Sequence, residues 1–272
     1  MAVSEGGLLW LYAVARDSVP VEVTGIGDAP VRAVHAAGLC AFVSTAPAGL
    51  SDAGALQARL EDAEWVARTA VEHHRVVAAL ASAAPVVPAG LATVCRDEAR
   101  ITATLVRHAA GLTGALDRVT GRTEWGVKGY VRGGPAPVPE TRAGGAGTAY
   151  LERRRAELSA RDRRHDEAAR DADAAHAELA RRADGAHRHA PQDRRLTGEP
   201  EAMVLNGAYL VPDERAAAFA AAVDALAARY PTITLRLTGP WPPYSFVPAL
   251  GAEPSDPDRV PGDAPVHAGG PA

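Results

Sequence analysis

The sequence predicts an α+β protein with two domains: an N-terminal α+β domain and a C-terminal modified ferredoxin-like domain that contains a long charged helix. Three observations support this fold class. Short apolar or alternating segments, typical of strands, are interspersed with long segments whose apolar residues recur every three or four positions. A Gly- and Pro-rich stretch interrupts the chain at 132–149, and the segments around it follow a β-α-β-α-β order. With 272 residues, 47% of them apolar, the chain can bury a sizeable core.

The predicted N-terminal domain, residues 1–121, begins with two strands. "GLLWLYAVA" (7–15) and "LCAFVSTA" (39–46) are apolar and flank the Gly-rich "VTGIGDAP", so we expect them to pair. A long amphipathic helix is predicted from Ser51 to about Ala84, with Ser51 or Asp52 as its N-cap. Its predicted inward face consists of Leu56, Leu60, Ala63, Ala67, Ala70, His74, Val77 and Leu80.

The remainder of this domain is predicted to contain a short extended segment and a second helix. "PVVPAGLATVC" is extended between prolines, and the helix runs from Arg96 to about Val119. The cysteines Cys40 and Cys95 are far apart in sequence, which argues against a disulfide framework and favours a reduced, cytosolic setting. The predicted buried face of the second helix consists of Ile101, Leu105, His108, Leu112, Ala115 and Val119.

The predicted C-terminal domain spans residues 122–249, and residues 250–272 are expected to form a disordered tail because they are rich in Pro, Gly and Asp. The elements resemble a ferredoxin-like unit that lacks one strand or hides it in a loop. In order they are a strand at 122–131, a flexible loop at 132–149, a charged helix at 151–184, a loop at 185–200, a strand at 202–212, a helix from Asp213 to about Arg229 and the alternating strand "TITLRLTGP".

The charged helix carries an apolar stripe in which residues recur at intervals of seven. The complementary positions Arg155, Asp162 and His176 are polar, so a two-position coiled-coil seam is missing. We therefore predict a solvated helix, supported by intrahelical ion pairs that each contribute about 0.2–0.5 kcal/mol. The stripe consists of Leu151, Leu158, His165, Ala172 and Leu179.

Several function classes are disfavoured by the sequence. The net charge is −4 and the basic residues are interspersed with acids, so we expect no nucleic-acid partner. The N-terminal apolar run is too short for a membrane span and lacks the positive flank of a signal peptide. Adjacent His73 and His74 point to different helix faces, and His187 and His189 fall in a predicted loop with no acidic or Cys residue at ligand spacing in the sequence. Neither a complete phosphate-binding glycine loop nor a "GxSxG" elbow occurs, so we predict no catalytic residues, cofactor or metal, and no enzyme.

The stretch "LTGPWPPYSFV" (237–247) concentrates Trp, Tyr and Phe in a chain that has 4 Trp, 6 Tyr and 3 Phe. Prolines favour an extended helix that could present its aromatics to a partner. Alternatively, the segment follows a strand whose Ile233, Leu235 and Leu237 face the core, so it can fold back over that same core as a clasp. We prefer the clasp, with both roles open. The candidate residues are Gly239, Pro240, Trp241, Pro242, Pro243, Tyr244, Ser245 and Phe246.

Motifs spread over most of the chain carry a family resemblance. Besides "GPWPPYSF", they include "LYAV" (11–14), "AFVSTAP" (41–47), "VEHHRVVAAL" before "PVVP", "GRTEWGVKGYV", "AYLERR" (149–154) and "GAYLVP" (207–212). With these motifs the chain resembles the gas vesicle protein GvpL/GvpF family. One segment departs from the pattern: members read like "PLRFGT" where this chain has "PAGLAT" (88–93). A partner contact made there would differ in this chain.

The resemblance implies an accessory protein of gas vesicle formation with a ferredoxin-like second half. It implies that the protein binds the hydrophobic shell protein and other accessory proteins, assists nucleation and assembly, and acts in the cytoplasm at the gas vesicle, some members being minor vesicle components. Two alternatives remain. The first is a small-molecule-binding or enzymatic ferredoxin-like protein with a cleft between sheet and helices. The second is a purely structural subunit of the vesicle.

Overall fold

The computed structural model describes residues 8–20, 22–50, 53–133, 146–193 and 198–250. Contacts group Thr123–Trp241 into one compact unit, the second unit, and the described residues on either side into another, the first unit. Helices and antiparallel sheets occur together, which confirms the predicted α+β class. The N-cap candidates Ser51 and Asp52 and the tail 251–272 lie outside the described residues.

The first unit is built around strand β1 (Leu9–Ala15), in which every residue is buried. β1 pairs antiparallel with β3 (Leu39–Thr45), as predicted, and β3 pairs with β2 (Arg32–Ala36), which the sequence had not indicated. Two short strands, β4 (Val87–Pro88) and β5 (Val94–Cys95), pair with the other edge of β1. β1 is therefore a central strand, which explains its continuous apolar run.

Two long helices cover this sheet, α2 (Ala63–Ala83) and α3 (Glu98–Val119), and the short helix α1 (Ala53–Leu60) packs against α2. The side chains of β1 divide between the two layers. Trp10 and Tyr12 join the core cluster under α2, and Leu9 and Leu11 join the cluster under α3. A β-bulge between Leu11 and Ala13 shifts the alternation, so that Val14 returns to the α3 side.

The predicted helix from Ser51 to Ala84 is wrong in one respect, because two helices occupy this region. The first ends at Leu60, and Asp62 caps the second: its carboxylate accepts hydrogen bonds from the backbone N–H groups of Glu64 and Trp65. The predicted inward face is also rotated, because the large Trp65 turns into the core while Ala63 and Ala67 face solvent. The buried residues of α2 are Trp65, Thr69, His73, Val76, Val77 and Leu80.

Helix α3 follows the prediction more closely. It begins after Asp97, whose side chain accepts from the Arg100 N–H at 2.8 Å. His108, which was predicted to lie on the buried face, is exposed. Leu116, which was not predicted, is buried. The apolar periodicity was sufficient here because bulky residues, rather than alanines, mark the stripe.

The second unit has a ferredoxin-like order of elements. Its sheet has the order β7-β8-β6-β9, with two helices between strands. Its core combines apolar residues of all three longer strands with both helices. The elements are β6 (Arg122–Val131), α4 (Ala146–Ala180), β7 (Gly185–Arg188), β8 (Met203–Pro212), α5 (Ala216–Arg229) and β9 (Ile233–Trp241).

Strand β7 is the strand that the sequence did not reveal, so the predicted loop at 185–200 is corrected for its first residues. Gly185, Ala186, His187 and Arg188 pair antiparallel with β8, from Leu210 to Gly207. Short edge strands are held by main-chain hydrogen bonds and need little apolar alternation, which leaves no sequence pattern to detect.

Helix α4 begins at Ala146, so the predicted loop at 132–149 is too long; residues 134–145 lie outside the described part. The helix ends at Ala180, not at Asp184. The predicted stripe is buried in the C-terminal half of the helix, where Ala172 and Leu179 lie in the core, whereas Leu151 and Leu158 are 57% and 45% exposed. Small residues allow the helix to approach the sheet closely.

The end of the described chain groups with the first unit, whereas the domain boundary at residue 249 stays a prediction. Pro242–Leu250 belong to the first unit, because their apolar side chains join the two core clusters on either side of the first sheet. Leu250, expected in the tail, is buried there. Within the described ranges, no helix combines the length and apolarity needed to cross a membrane.

Candidate partner-binding site

The candidate segment starts at the end of β9. Gly239 has φ +118°, and a side chain there would lie 3.2 Å from the carbonyl oxygen of Glu124, so glycine is required. The Gly239–Pro240 peptide bond is cis. Trp241 is half-buried, and its Nε1 donates to Thr238 Oγ1 at 3.3 Å. Trp241 is therefore absent from the second unit's core cluster, where the clasp prediction had placed it.

The rest of the segment packs in the first unit. Pro242, Pro243 and Phe246 are buried, and Ser245 is half-buried. Tyr244 joins the α2 cluster, with its ring centroid 6.3 Å from that of His74. The clasp prediction was thus wrong about the core: these aromatics contact the first unit, not the unit of the strand that precedes them. A direct partner-binding role for them stays a prediction.

Contacts on the α3 side complete the path of the segment. Val247 and Leu250 join the α3 cluster, and Arg118 Nη1 donates to the carbonyl oxygen of Phe246 at 3.2 Å. Thr93 Oγ1 lies 3.5 Å from the carbonyl oxygen of Leu250. Residues 242–250 therefore contact both helical layers of the first unit.

Leu250 lies at the wall of a cavity of about 660 Å³, which we call the α3 groove. Its lining residues all belong to the first unit. Apolar side chains form one part of the groove and polar or charged side chains the other. The apolar part is Leu11, Val14, Ala41, Val94, Ile101, Leu105 and Leu250; the remainder is Thr93, Cys95, Arg96, Asp97, Arg100, Thr104, Arg107 and His108.

The α3 groove was missed at the sequence level, although a signal for it exists. Arg100 and Arg107 lie seven residues apart on α3 beside the buried Ile101 and Leu105, and Arg96 directly precedes the N-cap of this helix. Such a row places cations along one edge of an apolar face. The row is hard to recognise in a chain in which arginines are common throughout.

Cys95 is a free thiol in the wall of the groove, while Cys40 is a free thiol buried in the core. Burial raises the pKa of the Cys95 thiol; nearby Arg100 acts against the shift and Asp97 adds to it. The thiol is therefore neutral at physiological pH and a poor nucleophile.

His73 has a structural environment. Trp10 Nε1 donates to His73 Nδ1 at 2.9 Å, and His73 Nε2 lies 3.1 Å from the carbonyl oxygen of Ala89. Since Trp can only donate, Nδ1 must accept, and Nε2 carries the proton that it donates to Ala89. Burial lowers the pKa of His73 to about 4, so the ring is neutral.

A metal centre or a ligand cleft in the described ranges would be evidence for the alternative functions. No group of three or more His, Cys, Asp or Glu side chains there is arranged to hold a metal ion. The groove lies in the first unit, whereas the small-molecule alternative anticipated a cleft in the ferredoxin-like unit. The divergent segment Pro88–Thr93 joins β4 to β5, and its Thr93 contributes to the groove.

Comparisons with known proteins identify relatives of this chain. A family model described as "Gas vesicle synthesis protein GvpL/GvpF" matches residues 8–248. Gas vesicle protein L from a Streptomyces species is 39% identical over 263 residues, covering 90% of this chain and 94% of that protein. Gas vesicle protein F1 from Halobacterium salinarum is 44% identical over 54 residues, covering 20% of this chain and 25% of the relative.

Solved structures share the fold. The crystal structure of the gas vesicle protein GvpF from an Anabaena species matches with a TM-score of 0.61 at 19% identity, covering 88% of this chain and 95% of that one. GvpF from Microcystis aeruginosa matches with a TM-score of 0.60 at 17% identity, covering 88% and 98%. At these identities the likeness concerns the fold.

Proposed function

The chain belongs to the gas vesicle synthesis protein GvpL/GvpF family, and on this basis we propose that it binds the hydrophobic shell protein of the gas vesicle and assists its nucleation and assembly. Family membership supports a gas vesicle role in general. The observation that carries the finer proposal is the α3 groove, which combines an apolar wall with a charged edge. We expect the protein to act in the cytoplasm at the growing vesicle, together with other accessory proteins.

The groove suits an apolar segment that must be kept from aggregating. Ile101, Leu105 and Leu250 can cover apolar side chains of the partner, and each Å² of apolar surface removed from water contributes about 25 cal/mol. Arg96 and Arg107 remain at the edge and keep the complex hydrated. The exposed, charged N-terminal half of α4 supplies further polar surface that favours solubility.

Filling the groove tests this proposal. Thr104→Trp places a bulky ring in the groove, whereas Ala103→Trp adds the same ring at the neighbouring exposed position, which does not line it. We expect Thr104→Trp to weaken capture of purified shell protein by about tenfold or more and to lower the vesicle yield of a complemented deletion strain. Ala103→Trp should behave like the wild type.

The two parts of the proposal fail differently. If the wild-type protein captures no shell protein and the deletion strain makes normal vesicles, shell-protein binding is wrong. If the wild type binds and both Trp variants bind equally well, the groove is wrong as the site. Recovery of the protein from washed vesicles in amounts comparable to the shell protein would favour a structural subunit instead.

A further inference from the structure

We infer that the α3 groove receives an amphipathic helix of the partner protein, with carboxylates along one edge of its apolar face. This inference deepens the proposed function and rests on it, because it specifies the chemistry of the segment that the groove binds. Three observations carry it: the surplus of positive charge in the groove, the spacing of two arginines at its rim, and the strands that form its floor.

The groove is positively charged in a chain whose net charge is −4. Among the described residues that line it, three arginines, Arg96, Arg100 and Arg107, stand against a single carboxylate, Asp97. The Asp97 carboxylate already accepts a hydrogen bond from the Arg100 N–H at 2.8 Å as the N-cap of α3. The described lining therefore does not neutralise itself, which favours an acidic occupant over a neutral or basic one.

Arg96 and Arg107 form no ion pair with any residue of the described ranges. Glu98, which follows closely on α3, is already paired with Arg32, Nη1 to Oε2, at 2.8 Å. Both arginines are exposed at the rim, where water screens an ion pair, so one carboxylate contributes only modestly. Two carboxylates on one partner segment are needed for a clear preference.

The spacing of the two arginines matches the repeat of a helix. Arg107 lies eleven positions after Arg96, and the two flank about three turns of α3, or roughly 17 Å. Eleven residues of a partner helix also complete about three turns, so carboxylates with this spacing lie on the same side. The apolar side chains between them can then cover Ile101 and Leu105.

The strands in the floor of the groove disfavour an extended partner. Leu11 and Val14 belong to β1, and Ala41 belongs to β3. β1 pairs with β3 on one side and with β4 and β5 on the other, while β3 lies between β1 and β2. An extended segment laid across these strands would find no edge to pair with and would bury unpaired backbone groups. A helix satisfies its own backbone groups and requires only side-chain contacts.

Three synthetic helical peptides of about 18 residues test the inference without shell protein. They share one apolar face and differ only at two edge positions, spaced as Arg96 and Arg107 are, which carry Glu, Gln or Lys. Fluorescence anisotropy measures the dissociation constant of each peptide for the full chain at low ionic strength. We expect the Glu peptide to bind about three- to tenfold more tightly than the Gln peptide, and the Lys peptide to bind most weakly. High salt should bring the three constants together.

Arginine variants assign the preference to the groove. Arg96→Gln combined with Arg107→Gln should bind the three peptides equally, and Arg96→Glu combined with Arg107→Glu should prefer the Lys peptide. The matched control, Arg153→Gln combined with Arg163→Gln, removes two charges from exposed positions of α4 and should keep the wild-type order.

The two Trp variants locate the bound peptide. Thr104→Trp, which fills the groove, should weaken binding of the Glu peptide about tenfold or more, whereas Ala103→Trp should bind it as the wild type does.

Other outcomes overturn the inference. Equal affinities, or no binding of any peptide, mean that the groove does not select an acidic helix. A wild-type order that survives in the Arg96→Gln and Arg107→Gln variant means that the charges act elsewhere. Tighter binding of dodecanoate than of the Glu peptide makes the groove a site for a small anionic amphiphile. A wild-type dimer in sedimentation that this variant does not form identifies a second copy as the occupant.

The peptide assay separates this inference from the proposed function. If the peptides bind in the expected order but purified shell protein does not bind, the proposed function is wrong and the preference for an acidic helix stands. If shell protein binds and the peptides are not distinguished, the inference alone is wrong.

Discussion

The two units protect their sheets in different ways. In the first, helices cover both faces of a sheet whose central strand contributes Trp10 and Tyr12 to one side and Leu9 and Leu11 to the other. In the second, the main core cluster lies under two helices and includes three alanines of α4 that have no exposed surface. The first unit also includes residues 242–250, which follow the second unit in sequence.

This difference indicates where each unit is vulnerable. The second unit is continuous in sequence, so its core depends on local order and on the close approach of α4. The first unit depends on a distant segment and on an internal hydrogen-bonded histidine, His73. Damage to Phe246 should therefore act on the unit that lies more than a hundred residues earlier in sequence.

The largest effect should come from a pair of aromatic truncations. Phe246→Ala should lower the free energy of unfolding of the first unit by about 3–5 kcal/mol, and Phe219→Ala should do the same to the second, since both rings are buried. Incorporated 5-fluorotryptophan separates the units in ¹⁹F NMR denaturation curves: Trp10 and Trp65 report on the first, and Trp125 and Trp241 on the second. If Phe246→Ala shifts the second pair instead, the assignment of this segment is wrong.

A second effect follows from the protonation of His73. Its pKa falls from 6.5 to about 4 on folding because of burial, so the unfolded chain binds the proton more strongly between these values. The full stability of the first unit is present above about pH 6.5 and declines by about 3 kcal/mol as the pH falls to 4. Below that pH, this residue causes no further loss.

Urea denaturation between pH 4 and 7, followed through Trp10 and Trp65, measures this decline. The pKa of His176 in the second unit is also lowered, first by burial, but His176 is only half-buried, so the Trp125 signal should change less. His73→Gln keeps an acceptor for Trp10 and cannot titrate, so its stability curve should be flatter. An equally steep curve for that variant would contradict the assignment.

The smallest effect concerns the two halves of α4. Ala172→Leu should destabilise the second unit by about 1–3 kcal/mol, because Ala172 has no exposed surface and a larger side chain overpacks the contact with the sheet. Ala156→Leu, at an exposed position of the same helix, is the control and should change stability by less than about 0.5 kcal/mol. Thermal unfolding of both variants decides; equal losses would mean that the N-terminal half of α4 is also packed.

The sequence was a good guide wherever bulky apolar residues recur with one period. The strand at Arg122–Val131 has the predicted bounds, and α3 buries nearly the predicted face. Predictions failed where the pattern was made of small residues or was absent. Alanines at helical spacing suggested one face of α2, but a different face is buried. Burying the large apolar surface of Trp65 outweighs burying several methyl groups. β7 has no apolar pattern at all.

The candidate site was likewise predictable from the sequence only in part. The sequence by itself determined the α+β class and the family, because strand and helix periods and the "GPWPPYSF" motif are local features. Only the tertiary structure decided that Pro242–Leu250 complete the first unit, and that Arg96, Arg100 and Arg107 border a groove ending at Leu250. A period shows which face of an element is buried. It does not identify the distant partner, since that choice depends on packing between residues far apart in the chain.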